Sequence, residues 1–254
     1  MTLSCPSQLF LFLNKIEARP NKRLSQNFLI DGNIVRKIVD AAEIQAGDAV
    51  LEIGPGPGAL TQELLRRGAR CFAVEKDALF ARELTRLGNL TVYEEDFMTF
   101  PLRDRLQGPL KLVANLPYHL TSPILGKICE ASDLFTSATV MVQKEVAARM
   151  VGVEKGPLSL FLSVYSNPSF AIKFISRNCF TPVPNVDSSV VHLEFKKPLL
   201  ANPQPFLNWA RKAFQQRRKM LRSTLGIQVE PFATARPEEL SLEEWLSLWN
   251  RLSR

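Results

Sequence analysis

A short apolar run, Ala49-Val50-Leu51-Glu52-Ile53, leads directly into Gly54-Pro55-Gly56-Pro57-Gly58 and then into a predicted helix from Ala59 to Arg67. Three alternate glycines at the end of a strand constrain this chain more than any other feature. Glycine lets the backbone turn tightly and approach a ligand with no side chain between them. Strand, glycine turn and helix in that order form the opening unit of an α/β sheet with a nucleotide-like molecule at its carboxyl edge.

The rest of the pattern extends that unit. Ile34, Val35, Ile38, Val39 and Ala42 recur at helical spacing behind Asp31, which is placed to cap the helix. Further strands are predicted over 71–75, 90–94, 111–115 and 138–143, alternating with helices that end near Leu87, Glu130 and Met150. Such alternation predicts a parallel, doubly wound sheet. Phe170–Phe174 and Ser189–Phe195 read as late strands, an antiparallel pair at one edge. Three prolines within 196–205 read as a linker, and 206–254 is helical in pattern and holds all three tryptophans. The expected fold is α/β, with one domain over 1–197 (its N-terminal segment 1–30 flanking the ligand) and a small helical domain over 198–254.

Composition matters chiefly through charge. The 254 residues carry a formal net charge of +7, with 46% hydrophobic and 22% charged residues, which describes a soluble globular protein with a polyanionic partner. Arg211, Lys212, Arg217, Arg218, Lys219 and Arg222 lie in one acid-free run. Like charges so close repel one another, and a phosphate backbone would supply the missing counter-charge. Lys15, Arg19, Lys22 and Arg23 form a second basic group. Cys5, Cys71, Cys129 and Cys179 are scattered and the chain has two histidines, so no structural zinc site is expected and the thiols are expected free, in a cytoplasmic protein. The run Leu9–Leu13 is too short to span a bilayer and lacks the flanks of a signal peptide; no membrane partner is expected.

Glu75, at the end of the second predicted strand, suits the acid that accepts hydrogen bonds from ribose hydroxyls. With Ala59 the turn also fits the dinucleotide fingerprint, so by itself it does not separate a nicotinamide enzyme from a methyltransferase. Two details favour the methyltransferase: Glu52 completes the E-x-G-x-G-x-G form typical of S-adenosylmethionine enzymes, and Asp96 follows the third strand where it could accept from an adenine amino group.

Asn115-Leu116-Pro117-Tyr118 says what is done with the cofactor. The exocyclic nitrogen of adenine is a weak nucleophile because its lone pair is delocalised into the ring. The Asn115 side-chain carbonyl and the Leu116 backbone carbonyl, exposed by Pro117, can accept hydrogen bonds from that amine and stabilise it as it pyramidalises and gains charge. Tyr118 would stack on the base, and Phe180 is expected to close its other face. No strong base is required.

With these residues quoted, the chain resembles the small-subunit ribosomal RNA adenine dimethyltransferases, the KsgA family, over essentially its whole length. Carrying segments are Gln26–Asp31, Glu52–Thr61, Val74-Glu75, Glu95-Asp96, Asn115–Tyr118, Met141–Val146, Phe180–Ser188 and Ala213–Leu221. The resemblance implies a Rossmann-like S-adenosylmethionine-dependent methyltransferase domain with a helical C-terminal domain. It also implies dimethylation of two adjacent adenosines in the 3'-terminal hairpin loop of 16S rRNA, on an assembling small-subunit particle, by a monomer. Cofactor contacts would fall on Asn27, Leu29, Gly54, Glu75, Asp96 and Asn115, with Gly56 and Gly58 completing the turn. Ser25 and His119 depart from the usual pattern; His119 is expected to be a bystander. The rivals are a large-subunit rRNA adenine methyltransferase of the macrolide-resistance type, a non-catalytic assembly factor, and a nicotinamide dehydrogenase.

Overall fold

The computed structural model describes residues 3–252 apart from Lys22, Arg23, Ser25 and Arg217. In chain order its helices and strands are α1 (Pro6–Lys15), β1 (Phe28–Leu29), α2 (Gly32–Ala41), β2 (Ala49–Ile53), α3 (Ala59–Arg66), β3 (Arg70–Glu75), α4 (Ala78–Leu84), β4 (Leu90–Glu94), α5 (Leu102–Arg105), β5 (Leu110–Asn115), α6 (Thr121–Glu130), β6 (Phe135–Gln143), α7 (Lys144–Met150), α8 (Pro157–Tyr165), β7 (Ser166–Ile175), β8 (Phe180–Thr181), β9 (Ser188–Phe195), α9 (Pro203–Phe214), α10 (Leu221–Thr224) and α11 (Leu242–Leu252).

Seven strands form one sheet in the order β4-β3-β2-β5-β6-β9-β7. The first five are parallel, and β9 runs antiparallel to β6. Parallel strands covered on both faces need apolar side chains almost throughout. In β2, Val50, Leu51 and Ile53 meet that need and Glu52, 1% exposed, breaks it. The chain steps from β2 to β3 and β4 on one side, then returns to place β5 on the other. That reversal opens a crevice beyond the carboxyl ends of β2 and β5, where α/β sheets take their ligands. The register brings Ile53 beside Val74 and Asn115 beside Met141, so the glycine turn, Glu75 and Asn115 share one edge.

Local chemistry sets the helices around this edge. Asp31 caps α2 by accepting from the amides of Asn33 (2.8 Å) and Ile34 (3.2 Å), as its position in the sequence implied. The apolar run near the N-terminus is α1: Leu9 and Leu13, one turn apart, are buried with Ala18, Phe28 and Phe80, while Phe10 and Leu11 face outward. Among the described residues no helix is long and apolar enough to cross a membrane.

The chain divides into two compact units, Met1–Ala147 with Ser169–Phe195, and Ala148–Pro168 with Lys196–Arg254. This departs from a boundary at 197/198: Ala148–Pro168 joins the C-terminal helices. Helix α8 is the reason. Leu158, Leu160, Phe161, Leu162 and Val164 make all but a narrow serine stripe of it apolar, so it needs cover on several sides, and it packs against α9 and α11. The same unit holds the tryptophans in one aromatic cluster, with Trp209 5.6 Å from Trp245 and 5.3 Å from Trp249.

Candidate active site

The glycine turn shows three uses of glycine. Gly54, Gly56 and Gly58 all have positive φ (+61°, +54° and +96°). A Cβ on Gly54 would project into open space beside the cleft, one on Gly56 would press to 3.3 Å on the Phe28 ring, and one on Gly58 would come within 2.9 Å of Leu84 Cδ2. Gly54 and Gly56 line the cleft; Gly58 lies outside it and lets α3 start close to α4.

Glu75 sits at the cleft's floor, 5% exposed. Its Oε2 accepts from the Gly56 amide and its Oε1 from the Asp77 amide, both at 2.8 Å. Burial pushes its carboxyl above the usual range, opposed by those amides. A carboxylate has about four lone-pair directions, so the two amides fix its plane and leave acceptor capacity for ribose hydroxyls.

Asp96, after the neighbouring strand β4, also lines the cleft. Its Oδ2 pairs with Lys76 Nζ and its Oδ1 accepts from the Met98 amide, both at 2.8 Å. The Lys76 hydrogen bond is the main reason its carboxyl titrates below the ordinary range. The loop after Asp96 is gripped by Lys127, whose Nζ donates to the carbonyls of Phe97 (2.6 Å), Met98 (3.0 Å) and Phe100 (2.5 Å). Sequence reading missed Lys127; its only signal was a lone cation between Ile124 and Ile128 on the inner face of α6.

The segment Gln26–Asp31 folds over this cleft. Gln26 Nε2 donates to Asp77 Oδ2 (2.9 Å), Phe28 packs edge-on against Phe80 (5.4 Å), and Asn27 and Leu29 line the cleft. The two-residue pairing of β1 with β8 holds the segment down, Leu29 opposite Phe180. Ser25 lies outside the described residues.

Asn115, Leu116, Pro117 and Tyr118 all line the same cleft. Asn115 Nδ2 donates to the Asn27 carbonyl (3.3 Å), and no described residue hydrogen-bonds its amide oxygen. Leu116 donates its N–H to Met141 (3.1 Å), and no described residue donates to its carbonyl. The next carbonyl, that of Pro117, is taken by the Leu120 N–H at 3.0 Å. Two adjacent unengaged acceptors on a cleft wall are what an exocyclic amine requires. The Tyr118 hydroxyl is 2.8 Å from the Ser188 hydroxyl, which locks the half-buried ring; burial raises the phenol's pKa. Ser188 belongs to the Phe180–Ser188 motif, and this contact is a use that sequence reading did not find. His119 also lines the cleft.

Phe180, expected to close the other face of the base, lies behind the cleft lining. Its ring is 1% exposed, belongs to the core cluster that includes Leu29 and Val190, and does not line the cleft. Large aromatics gain most by burial, and in β8 this one pairs opposite Leu29 and helps hold the segment over the cleft.

In the other unit, Arg211, Lys212, Arg218, Lys219 and Arg222 are exposed, and among the described residues none enters an ion pair. Arg217 lies outside the described residues, as do Lys22 and Arg23. Among the described residues no group of three or more His, Cys, Asp or Glu is placed to hold a metal ion.

The chain superimposes on a dimethyladenosine transferase from Plasmodium falciparum with a TM-score of 0.77 at 27% identity, covering 87% of this chain and 95% of that one. It matches the 23S rRNA methyltransferase ErmE at 0.74 and 27%, covering 90% and 100%. Fold and cleft together define a Rossmann-like, S-adenosylmethionine-dependent methyltransferase. Residues 17–241 match the family model described as ribosomal RNA adenine dimethylase, and the chain belongs to that family. Curated relatives named ribosomal RNA small subunit methyltransferase A include one from Protochlamydia amoebophila, 46% identical over 99% of this chain and 98% of its own length. Another, from Chlamydia caviae, is 42% identical over 100% and 99%.

Proposed function

We propose that this protein dimethylates N6 of two adjacent adenosines in the 3'-terminal hairpin loop of small-subunit rRNA, acting as a monomer on an assembling particle in the cytoplasm. The observation that carries the reading is the pair of unengaged acceptors, Asn115 Oδ1 and the Leu116 carbonyl, on the wall of a cleft whose floor is built for a nucleoside. The small-subunit assignment draws support from relatives of that name at 46% and 42% identity.

The residues present fit S-adenosylmethionine. Gly54 and Gly56 give it open backbone, Glu75 would hold its ribose, Asp96 its adenine amino group, and Asn27 and Leu29 its outer side; when bound it supplies an electrophilic methyl group. Asn115 and Leu116 hold the target amine by its protons, which localises the nitrogen lone pair and stabilises the developing cation. Tyr118, tied to Ser188, supports the extruded base. The proton leaves afterwards to water, so His119 has no step to perform.

Unmodified small subunits and protein-free 23S rRNA, each incubated with the cofactor and digested to nucleosides, separate the readings. N6,N6-dimethyladenosine in the small subunit alone is expected. Product in 23S rRNA alone would establish the ErmE-like reading, which rests on the 0.74 structural match; cofactor binding without product in either would indicate a binding factor.

The basic run is assigned to the RNA backbone. Log affinity for RNA should fall with log salt, and charge reversal at Arg218 and Lys219 should reduce that slope by about two. Unchanged affinity and slope in filter binding would remove the segment from the interface.

A further inference from the structure

The motif-bearing edge carries an aromatic side chain that the chemistry above does not use. Phe174, at the end of β7, is 55% exposed. Burying such a ring is ordinarily favourable, so an edge that leaves it in water forgoes a stabilisation its neighbours take. Lys144 Nζ lies over the ring at 5.6 Å. Lys173 and Arg177 flank it in sequence; all three cations are exposed, and among the described residues none enters an ion pair. Val183 (55% exposed) and Val186 (36%) extend apolar surface along the loop that leads to Ser188. The nearby acids are Glu145 and Asp187; the latter's Oδ1 is occupied by the Arg177 amide at 3.0 Å.

This group is tied to the catalytic tetrapeptide through three consecutive residues. The Asp187 carbonyl accepts the Lys144 N–H at 3.0 Å, Ser188 meets the Tyr118 hydroxyl at 2.8 Å, and Ser189 Oγ donates to the Lys173 carbonyl at 2.7 Å. Phe174 and Tyr118 are therefore mounted on the same short stretch of β9, one outside the cleft and one within it.

We propose that Phe174, with Lys144 against its face, is a stacking platform for an unpaired nucleobase next to the target adenosine. The inference rests on the reading of the substrate as RNA. An exposed ring bordered by unpaired cations matches single-stranded nucleic acid, whose bases offer π-faces and whose phosphates offer charge. It also continues from the target site, where the flanking nucleotides must pass once the adenosine is extruded. Stacking is indifferent to base identity, so the platform grips the strand and leaves selection to the cleft.

The test uses the full chain on unmodified small subunits. Phe174→Ala should raise KM for the subunit about tenfold, with kcat and the Kd for S-adenosylmethionine unchanged; Phe174→Tyr and Phe174→Trp should restore KM, and Phe174→Leu should not. Equal KM for Phe174→Ala and wild type overturns the platform while leaving the RNA reading intact, and full rescue by Leu overturns stacking. A photoreactive benzoylphenylalanine at position 174 should cross-link to rRNA; capture of a ribosomal protein in its place overturns the assignment of the occupant. Wild-type protein that neither binds nor methylates subunits overturns the parent reading, and the platform with it.

Discussion

Asn115→Ala should lower kcat for adenosine methylation by about 10²–10³-fold, the usual consequence of removing one positioned group that stabilises transition-state charge. The Kd for S-adenosylmethionine should change less than about threefold, because Glu75 and Asp96 are held by their own partners, the Gly56, Asp77 and Met98 amides and Lys76. Folding should be little affected, since the substitution removes a single 3.3 Å hydrogen bond to the Asn27 carbonyl. Asn115→Asp provides the contrast. It keeps an oxygen acceptor and loses the Nδ2 donor, so it should retain more activity than the alanine variant. Single-turnover rates with calorimetric cofactor binding would decide, and an alanine variant within tenfold of wild type would refute the assignment.

Glu52 should make stability depend on pH. Burial pushes its carboxyl up to about 8, with the Glu75 charge adding to the shift and the Thr61 hydroxyl, donating at 2.6 Å, opposing it. An acid whose folded pKa exceeds its unfolded value is fully stabilising below the unfolded pKa, ordinarily 4.5 for this group. That contribution is lost as pH rises toward 8, at about 1.4 kcal/mol per unit. Glu52→Gln carries a neutral side chain of the same shape throughout. The variant should match wild type near the bottom of this window and exceed it by roughly 2–4 kcal/mol at pH 8. The difference between the two urea-denaturation curves cancels every other titrating group; curves that stay parallel from pH 5 to pH 8.5 would show that Glu52 is already ionised in the folded chain.

The parallel core could be read from the sequence because each of its strands is a short apolar run set off by a capped or glycine-ended helix, signals that act over a few residues. Asp31 is the plainest case: its cap involves only the next three positions. What escaped depends on partners remote in sequence. The β1–β8 pair joins two dipeptides that carry no periodicity of their own. Phe180 reads as a stacking ring, and its place in the core beside Leu29 depends on neighbours that no local pattern names. Ser188 and Tyr118 meet across 70 positions. The transfer of α8 to the second unit follows from the helices that cover it, which no local pattern announces. Within the cleft, residues of the glycine turn, Glu75, Asp96 and the tetrapeptide do converge, because the carboxyl edge of a parallel sheet collects whatever follows each strand.

Helix α6 gives the reaction a fixed gauge length. Its first residue, Thr121, bonds through Oγ1 to the Pro117 carbonyl at 3.4 Å, and its Lys127 holds the three carbonyls after Asp96. Six residues of α-helix span about 9 Å and change length very little. The loop that would fix the donor's adenine and the tetrapeptide that would hold the acceptor's amine are thus tied to one helix, six residues apart. Methyl transfer in line tolerates little error in the gap it crosses, and the two groups that would set that gap are spaced by the rise of one helix.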